Sequence, residues 1–299
     1  MTDQPNSAKA APFRALVICP GERPAVAALA RRTPLVLTPF LGKTILDEVL
    51  AGLASRGATA VTVLASDRPE HIREAVGQGQ AWGMRVEVAA TPAELTSAEA
   101  MAAWGGAVSG GRPAAREVVV ADHWPALPGL CLWESYTGWL DVLIAAMRPV
   151  AAARVGMRET APGVFTGLRA RIADSARLIA PCWIGANVFL GANVVAGPGT
   201  VIEDDAYVEE AAEIRCSVVG PRTYLGAMTE LGESFAWGRH LLNLQAGSLV
   251  EITDRFLLHD LGGGARREES SVPVLGPVLE RAWAIAPGFW RKLSGKGGG

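Results

Sequence analysis

Aliphatic residues recur at every sixth position through the C-terminal half of the chain. The series slips by one residue after Ile214 and resumes at Val219. Its members are Ile172, Leu178, Ile184, Leu190, Ala196, Ile202, Val208, Ile214, Val219, Leu225 and Leu231. Glycine directly follows six of these eleven residues, and a small or β-branched residue stands four positions after most of them. A period of six fits neither an amphipathic helix, which repeats every ~3.6 residues, nor a simple strand, which repeats every ~2.

A six-residue period indicates short strands that are joined by tight corners and stacked in coils. The aliphatic side chain fills the interior, the small side chain turns inward where space is narrow, and glycine accommodates the corner. One coil cannot bury its apolar side alone, so the stack is stable only as a whole. At three repeats in each coil, the eleven repeats predict a β-helix of nearly four coils from about Val164 to about Leu244. The series continues less regularly through residues 238–244 and 250–254.

Patterns of buried strands and amphipathic helices alternate in the N-terminal half. We predict strands at residues 14–20, 60–64, 84–88 and 117–121 and helices at 44–56, 69–76 and 93–104. This alternation predicts a mostly parallel sheet with helices on both faces. Ligands of such sheets bind at the carboxyl ends of the strands. We therefore expect the loop at residues 20–23 and Asp122 to lie at the same edge of the sheet.

The two patterns divide the chain into three parts. We predict an α/β domain at residues 12–160, a β-helix at 161–261, and a linker with an amphipathic tail at 262–299. The run of three glycines that begins at Gly262 marks the end of the coils, because such a run favours a flexible linker.

Composition excludes several classes of protein. The 299 residues are 49% hydrophobic and 19% charged, with a formal net charge of −2. Nucleic-acid binding is not expected without a basic excess. No apolar run reaches the roughly 20 residues that span a bilayer, and the polar start of the chain lacks a secretory signal. The four cysteines have no CxxC spacing, which indicates reduced thiols in a cytoplasmic protein without a structural zinc site.

The order of an α/β domain followed by hexapeptide coils resembles the sugar nucleotidyltransferases, or nucleotide-sugar pyrophosphorylases. Mannose-1-phosphate guanylyltransferase is a typical member. Three stretches carry the resemblance, namely LGKTILDEVL at residues 41–50, GQAWGMRV at 79–86 and VVVAD at 118–122. The resemblance implies a shortened, Rossmann-like nucleotidyltransferase-type domain followed by a left-handed parallel β-helix. It also implies a role in surface-polysaccharide metabolism.

The resemblance further implies a nucleotide site at the carboxyl edge of the sheet. Asp122 corresponds to the aspartate that holds the catalytic Mg²⁺, and Gly21 and Arg23 remain from the phosphate-binding loop. The family's reaction joins a sugar 1-phosphate to a nucleoside triphosphate and releases pyrophosphate. Lys43 is a further candidate for ligand contact, and His123 for a general base. The residues alone leave structural interpretations open, because Asp122 can cap a turn and the basic side chains can be solvated surface groups.

Several positions depart from the family pattern. The loop reads CPGERP at residues 19–24 where the family has GGxGTR, and its prolines remove amide donors. Leu35 replaces the family's lysine, and LTSAEA at residues 95–100 replaces the base-binding LGTAGA. Only about forty residues follow Asp122 before the first coil, which leaves no room for the family's sugar-binding subdomain.

We therefore expect a pyrophosphorylase-like protein with weak or no catalytic activity, which would use Mg²⁺ only if it is active. A different class remains open, a non-catalytic regulatory or scaffold subunit that binds a nucleotide sugar or a partner enzyme. A hexapeptide acyltransferase fits less well, because such enzymes use a histidine that projects from the coils. Residues 164–235 contain no histidine, and His240 and His259 lie just beyond them. The coils are then expected to provide structure and the contact surfaces of a homo-oligomer.

The C-terminal tail allows two interpretations. Residues 272–292 combine an apolar helical face with Trp283 and Trp290, which stand near basic residues. Such a segment can lie in a membrane interface, and it can also dock on the protein's own core. Docking is favoured because Pro287 and Gly288 interrupt the helix and leave the amphipathic stretch short.

Overall fold

The N-terminal half of the chain forms a parallel sheet with helices. The computed structural model describes residues 13–106, 114–124 and 131–262. The elements before the coils are β1 Phe13–Ile18, β2 Pro39–Phe40, β3 Lys43–Thr44, α1 Ile45–Ser55, β4 Ala58–Ala65, α2 Pro69–Val76, β5 Arg85–Ala90, α3 Ser97–Trp104, β6 Ala115–Val120 and α4 Tyr136–Ala153. Short 3-10 helices lie at Pro24–Val26, Leu29–Arg31, Leu35–Leu37 and Gln80–Trp82. Within the described ranges, four strands pair in the order β5-β4-β1-β6, and every neighbouring pair is parallel.

The two faces of this sheet are buried against different helices. Along β1, Ala15 and Val17 join a core that also contains α1 and α2, because successive side chains of a strand point to opposite faces. Leu16 and Ile18 join a second cluster with Ala100 of α3. The prediction of a parallel sheet covered by helices on both faces is therefore confirmed.

The helices differ from the sequence prediction at two places. The helix predicted at residues 93–104 begins only at Ser97, because Thr96 and Glu99 form a capping box that sets its first turn. The 18-residue helix α4 was not predicted. Gly138 and Pro149 lie within it and are poor helix formers, yet the helix is held by the burial of its apolar face against the core.

The C-terminal half consists of short strands, most of which follow the predicted six-residue period. They are β7 Arg158–Ala161, β8 Val164–Thr166, β9 Arg171–Ile172, β10 Arg177–Leu178, β11 Cys182–Ile184, β12 Phe189–Leu190, β13 Val195–Ala196, β14 Thr200–Ile202, β15 Tyr207–Val208, β16 Glu213–Arg215, β17 Val218–Val219, β18 Thr223–Leu225, β19 Glu230–Gly232, β20 Ser234–Trp237, β21 His240–Asn243, β22 Leu249–Glu251 and β23 Leu258–Asp260. We call residues 164–237 the repeat region.

Parallel pairing in the repeat region links residues 18 positions apart, such as Cys182 with Thr200 and Leu190 with Val208. This spacing is three six-residue repeats, as predicted. The one-residue slip falls between Ile214 and Val218, because Ile214 pairs with Ala196, 18 positions earlier, whereas Val218 pairs with Val201, only 17 positions earlier.

The predicted interior positions of the repeat region are buried. Fully buried members of the series, which form a core of their own, are Ile184, Leu190, Ala196, Ile202, Val208 and Ile214. Ile172 and Leu178 in the first turn are only partly buried. The inward orientation predicted for the aliphatic series is thus confirmed for the central coils.

The prediction that the coils continue through residues 238–254 is wrong. The chain instead reverses direction after Trp237, and β21 pairs antiparallel with β20 and with β22. β23 then pairs antiparallel with β18. These reversed strands supply backbone hydrogen-bond partners to the last coil, whose edge would otherwise be unpaired.

One hydrophobic core joins the sheet to the repeat region. The outward side chains of β8, β11, β14, β17 and β20 belong to the same buried cluster as α1 and α4, and they are Phe165, Trp183, Val201, Val218 and Phe235. On α4, Trp139 contacts Phe235 with ring centroids 5.0 Å apart. The described residues from Phe13 to Gly262 accordingly form one compact unit, and buried side chains cross the predicted domain boundary at residues 160–161. The predicted tail at residues 272–292 lies outside the described residues.

Within the described ranges, no helix is both long and apolar enough to cross a membrane.

Candidate functional site

The carboxyl ends of β1 and β6 meet at the point where the strand order of the sheet reverses. From β1 the chain runs outward through β4 to β5 and then returns to place β6 on the other side of β1. Connections that leave adjacent strands in opposite directions open a crevice at such a point. The loop with Gly21 and Arg23 follows β1, and Asp122 follows β6. The structure thus brings three of the predicted site residues to one edge.

Glu94 occupies the hydrogen-bond donors of the loop that follows β1. The Gly21 N–H donates to Oε2 of Glu94 at 2.8 Å. The guanidinium of Arg23 donates to both carboxylate oxygens, at 2.6 Å to Oε2 and 2.8 Å to Oε1. The hydrogen bonds from Arg23 hold the pKa of Glu94 below its ordinary value. The donors that the resemblance assigns to a phosphate therefore hold an internal carboxylate.

Sequence analysis did not identify Glu94 as a site residue. It stands directly before residues 95–100, the stretch that departs from the family's base-binding motif. Nothing in its local sequence distinguishes it from a surface glutamate, because its partners lie more than seventy positions earlier in the chain.

A groove of about 670 Å³ adjoins the loop at the carboxyl ends of β1 and β4. Its charged lining residues are Glu22, Arg23, Arg31, Asp67 and Arg68. Arg68 pairs with both oxygens of Asp67 at 2.8 Å and donates to the carbonyl of Ala30 at 2.7 Å. The guanidinium of Arg31 has no hydrogen bond or ion pair with any described residue. The volume lies in the range of about 300–1,000 Å³ typical of small-molecule sites.

Asp122 forms a hydrogen bond with the neighbouring histidine. Its Oδ1 lies 2.6 Å from Nδ1 of His123, and both side chains are more than one-third exposed. Asp122 also lies near enough to Arg23 for its charge to add to the rise in the pKa of Arg23, which comes mainly from the hydrogen bonds to Glu94.

Asp122 by itself is a poor magnesium site. Mg²⁺ is held by one or two carboxylates together with waters and substrate phosphates. Here Asp122 offers one carboxylate, and His123 competes for it. Across the described ranges, no group of three or more His, Cys, Asp and Glu residues is arranged to hold a metal ion. Within the described ranges Asp122 thus offers Mg²⁺ one carboxylate that His123 already engages, and a bound ion would take its other ligands from waters and substrate phosphates.

The position of the family's lysine lies in the hydrophobic core. Leu35 is only 1% exposed and packs in the same cluster as α1. A lysine there would bury its charge rather than present it to a phosphate. The leucine at this position thus contributes to the hydrophobic core of the protein.

Lys43 lines a different cavity from the groove beside Arg23. Its Nζ lies 3.4 Å from Oε1 of Glu48. Together with Trp124 and Arg154 these residues line a separate cavity of about 140 Å³. Lys43 lies in β3, directly before α1, as a helix-start residue at the surface would.

Glu203 is a second carboxylate with long-range hydrogen bonds that sequence analysis did not identify. It is fully buried, and it accepts hydrogen bonds from the backbone N–H of Leu41 at 2.7 Å and from that of Gly42. Burial raises the pKa of Glu203 to about 8. One signal could have revealed it: Glu203 follows the inward Ile202, at a position where the three preceding repeats have glycine.

No protein-family profile matches the chain, and no curated protein matches it.

Proposed function

We propose that this chain is a nucleotide-sugar pyrophosphorylase-like protein of surface-polysaccharide metabolism with weak or no catalytic activity. The observation that carries the proposal is the convergence of Gly21, Arg23 and Asp122 at the edge between β1 and β6. A backbone N–H, a guanidinium and a carboxylate at one crevice are the groups that a nucleotide-binding α/β protein uses for phosphates and their metal ion. The protein is further proposed to be cytoplasmic.

We propose a finer description of the fold on the same grounds. Counted along the chain, the sheet order β5-β4-β1-β6 is 3-2-1-4, which is the order of the first strands of Rossmann-like sheets. The 18-residue pairing and the buried aliphatic series support a parallel β-helix of hexapeptide repeats. Its left hand rests on the resemblance to the hexapeptide family.

Three structural features support weak or absent catalysis. The donors of Gly21 and Arg23 are bonded to Glu94, the position of the family's lysine is the buried Leu35, and Asp122 is bonded to His123. Phosphoryl transfer depends on positioned cations around the phosphates. In this chain Arg23 and Arg68 are already paired with carboxylates, so only Arg31 of the three arginines that line the groove keeps an unpaired charge among the described residues.

The proposal is tested by binding and turnover on the full chain. We expect a nucleotide sugar such as GDP-mannose or UDP-glucose to bind in calorimetry, and pyrophosphate release from GTP and mannose 1-phosphate with Mg²⁺ to stay below about 1 per second. Arg23→Ala should abolish binding, whereas Arg177→Ala, an exposed arginine of the repeat region, should leave it unchanged. Equal binding by both variants would contradict the site. Rapid pyrophosphate release that is lost in Asp122→Ala would contradict the weak activity.

A second candidate function is a non-catalytic regulatory or scaffold subunit. The observation that favours it is α4, which lies in the segment between Asp122 and β8 and packs Trp139 against Phe235. That segment thus joins the two halves of the chain, where the family has its sugar-binding subdomain. This function predicts a homo-oligomer through the repeat region or a stable complex with a partner enzyme, which light scattering would detect. A monomer that binds nucleotide sugars alone would favour the first proposal.

A further inference from the structure

We infer that Glu94 is an internal anion that occupies the phosphate position of the Gly21 and Arg23 loop, and that a diphosphate group binds there only by displacing it. The choice of a diphosphate ligand rests on the proposed function. The displacement itself rests on the contacts of Glu94.

Two oxygens of a phosphate group would make the same contacts as the Glu94 carboxylate. Arg23 presents two N–H donors to two carboxylate oxygens, and Gly21 adds a backbone N–H to one of them. A guanidinium forms the same two-pronged contact with phosphate and with carboxylate. A ligand phosphate and the Glu94 carboxylate therefore compete for one set of donors.

Glu94 can leave this position without disturbing the sheet. Its side chain is 27% exposed. The backbone is anchored on both sides, because Thr91 N–H donates to the carbonyl of Ala65 at 2.9 Å and Thr96 caps α3. Rotation of the side chain about its own bonds is then enough to release Gly21 and Arg23.

The groove beside the loop has room and charge for the rest of the ligand. Its volume of about 670 Å³ exceeds what one phosphate needs, and Arg31 and Arg68 line it together with Arg23. Arg31 has no partner among the described side chains, so it can bind a second phosphate without breaking an existing pair. Glu22 and Asp67 oppose this charge, and Asp67 is already paired with Arg68.

The test compares variants of the full chain for binding of inorganic pyrophosphate in metal-free buffer by calorimetry. Glu94→Ala should bind pyrophosphate about tenfold more tightly than the wild type, or better, because the competing carboxylate is gone. Glu94→Asp, which keeps the charge but shortens its reach, should show a smaller gain. Glu22→Gln is the matched control, because it removes one negative charge from the groove beside the loop but no bond to Gly21 or Arg23. It should change the affinity by less than about threefold.

Two results would overturn the inference. Equal gains in Glu94→Ala and Glu22→Gln would show that only net charge matters, and no gain in either Glu94 variant would show that the carboxylate does not compete. If Glu94→Ala does not fold, the comparison of Glu94→Asp with Glu22→Gln decides in the same way.

A parallel titration with GDP-mannose and UDP-glucose separates this inference from the proposed function. Tighter pyrophosphate binding by Glu94→Ala with no nucleotide-sugar binding by any variant would support the internal anion and contradict the proposed function. Nucleotide-sugar binding that is equally tight in wild type and Glu94→Ala would support the function and contradict the internal anion.

Discussion

The carboxylate of Glu203 accepts a hydrogen bond from the backbone N–H of Leu41 at 2.7 Å, although 162 residues separate them in the chain. The second carboxylate oxygen accepts from Gly42. Leu41 and Gly42 both have positive φ, at 52° and 82°, and this turn directs their successive N–H groups to one carboxyl group. Residues 41–50 resemble a family motif, and the first two of them are thus hydrogen-bonded to the repeat region.

Glu203 should make the stability of the protein depend on pH. Its pKa is raised by burial from 4.5 to about 8, so the folded protein binds this proton more tightly than the unfolded chain. The stability that results is fully present below pH 4.5 and is lost as the pH rises through about 8. The melting temperature should therefore fall between these two limits.

Glu203→Gln isolates this contribution, because the amide keeps the size of the side chain but has no charge to bury. Relative to the wild type, it should gain stability as the pH rises from 4.5 to about 8, measured as melting temperature across the range. Glu210→Gln, at an exposed position of the same region, should keep the wild-type dependence. Parallel curves for wild type and Glu203→Gln would contradict the assignment.

Replacing Ile184 by Asp should destabilise the repeat region severely. Ile184 is fully buried in the interior of the coils, and an aspartate there has no partner for its charge. We expect a loss of about 4 kcal/mol or more in the free energy of unfolding, measured by urea denaturation. Arg177→Asp at an exposed position of the coils should cost far less. Similar losses for both would show that the aliphatic series is not the core.

Trp139→Ala tests whether the two halves are held together by α4. Trp139 is fully buried and contacts Phe235 of the repeat region. Its truncation should cost about 3–5 kcal/mol in denaturant unfolding. Trp104→Ala is the control, because that side chain is 38% exposed. A Trp139→Ala loss no greater than that of the control would contradict a shared core.

Restoring the family's lysine at position 35 should not restore catalysis. Leu35→Lys buries an ammonium group without a partner, so we expect a loss of about 3 kcal/mol or more in unfolding free energy and no gain in pyrophosphate release. Leu37→Lys, at a partly exposed position of the same 3-10 helix, should be tolerated better. Pyrophosphate release that appears in Leu35→Lys would show that the missing lysine alone limits activity.

Elements with a local and repeated cause could be predicted from the amino-acid sequence. The aliphatic series from Ile184 to Ile214 predicted which side chains fill the coils, because each turn of the repeat region faces the same geometric requirement. The parallel sheet followed from the alternation of strands and helices. The edge shared by Arg23 and Asp122 followed from the direction of its strands.

The contacts between these elements could not be predicted in this way, because they depend on how the whole chain folds. Glu94 reaches Arg23 across 71 residues and Glu203 reaches Leu41 across 162, and no local pattern encodes such distant pairs. α4 is helical in spite of Pro149 because its apolar face is buried against the coils, which outweighs its weak local propensity. A carboxylate that looks like a solvated charge in the sequence became a ligand of the loop, because folding carried it to donors that needed an acceptor.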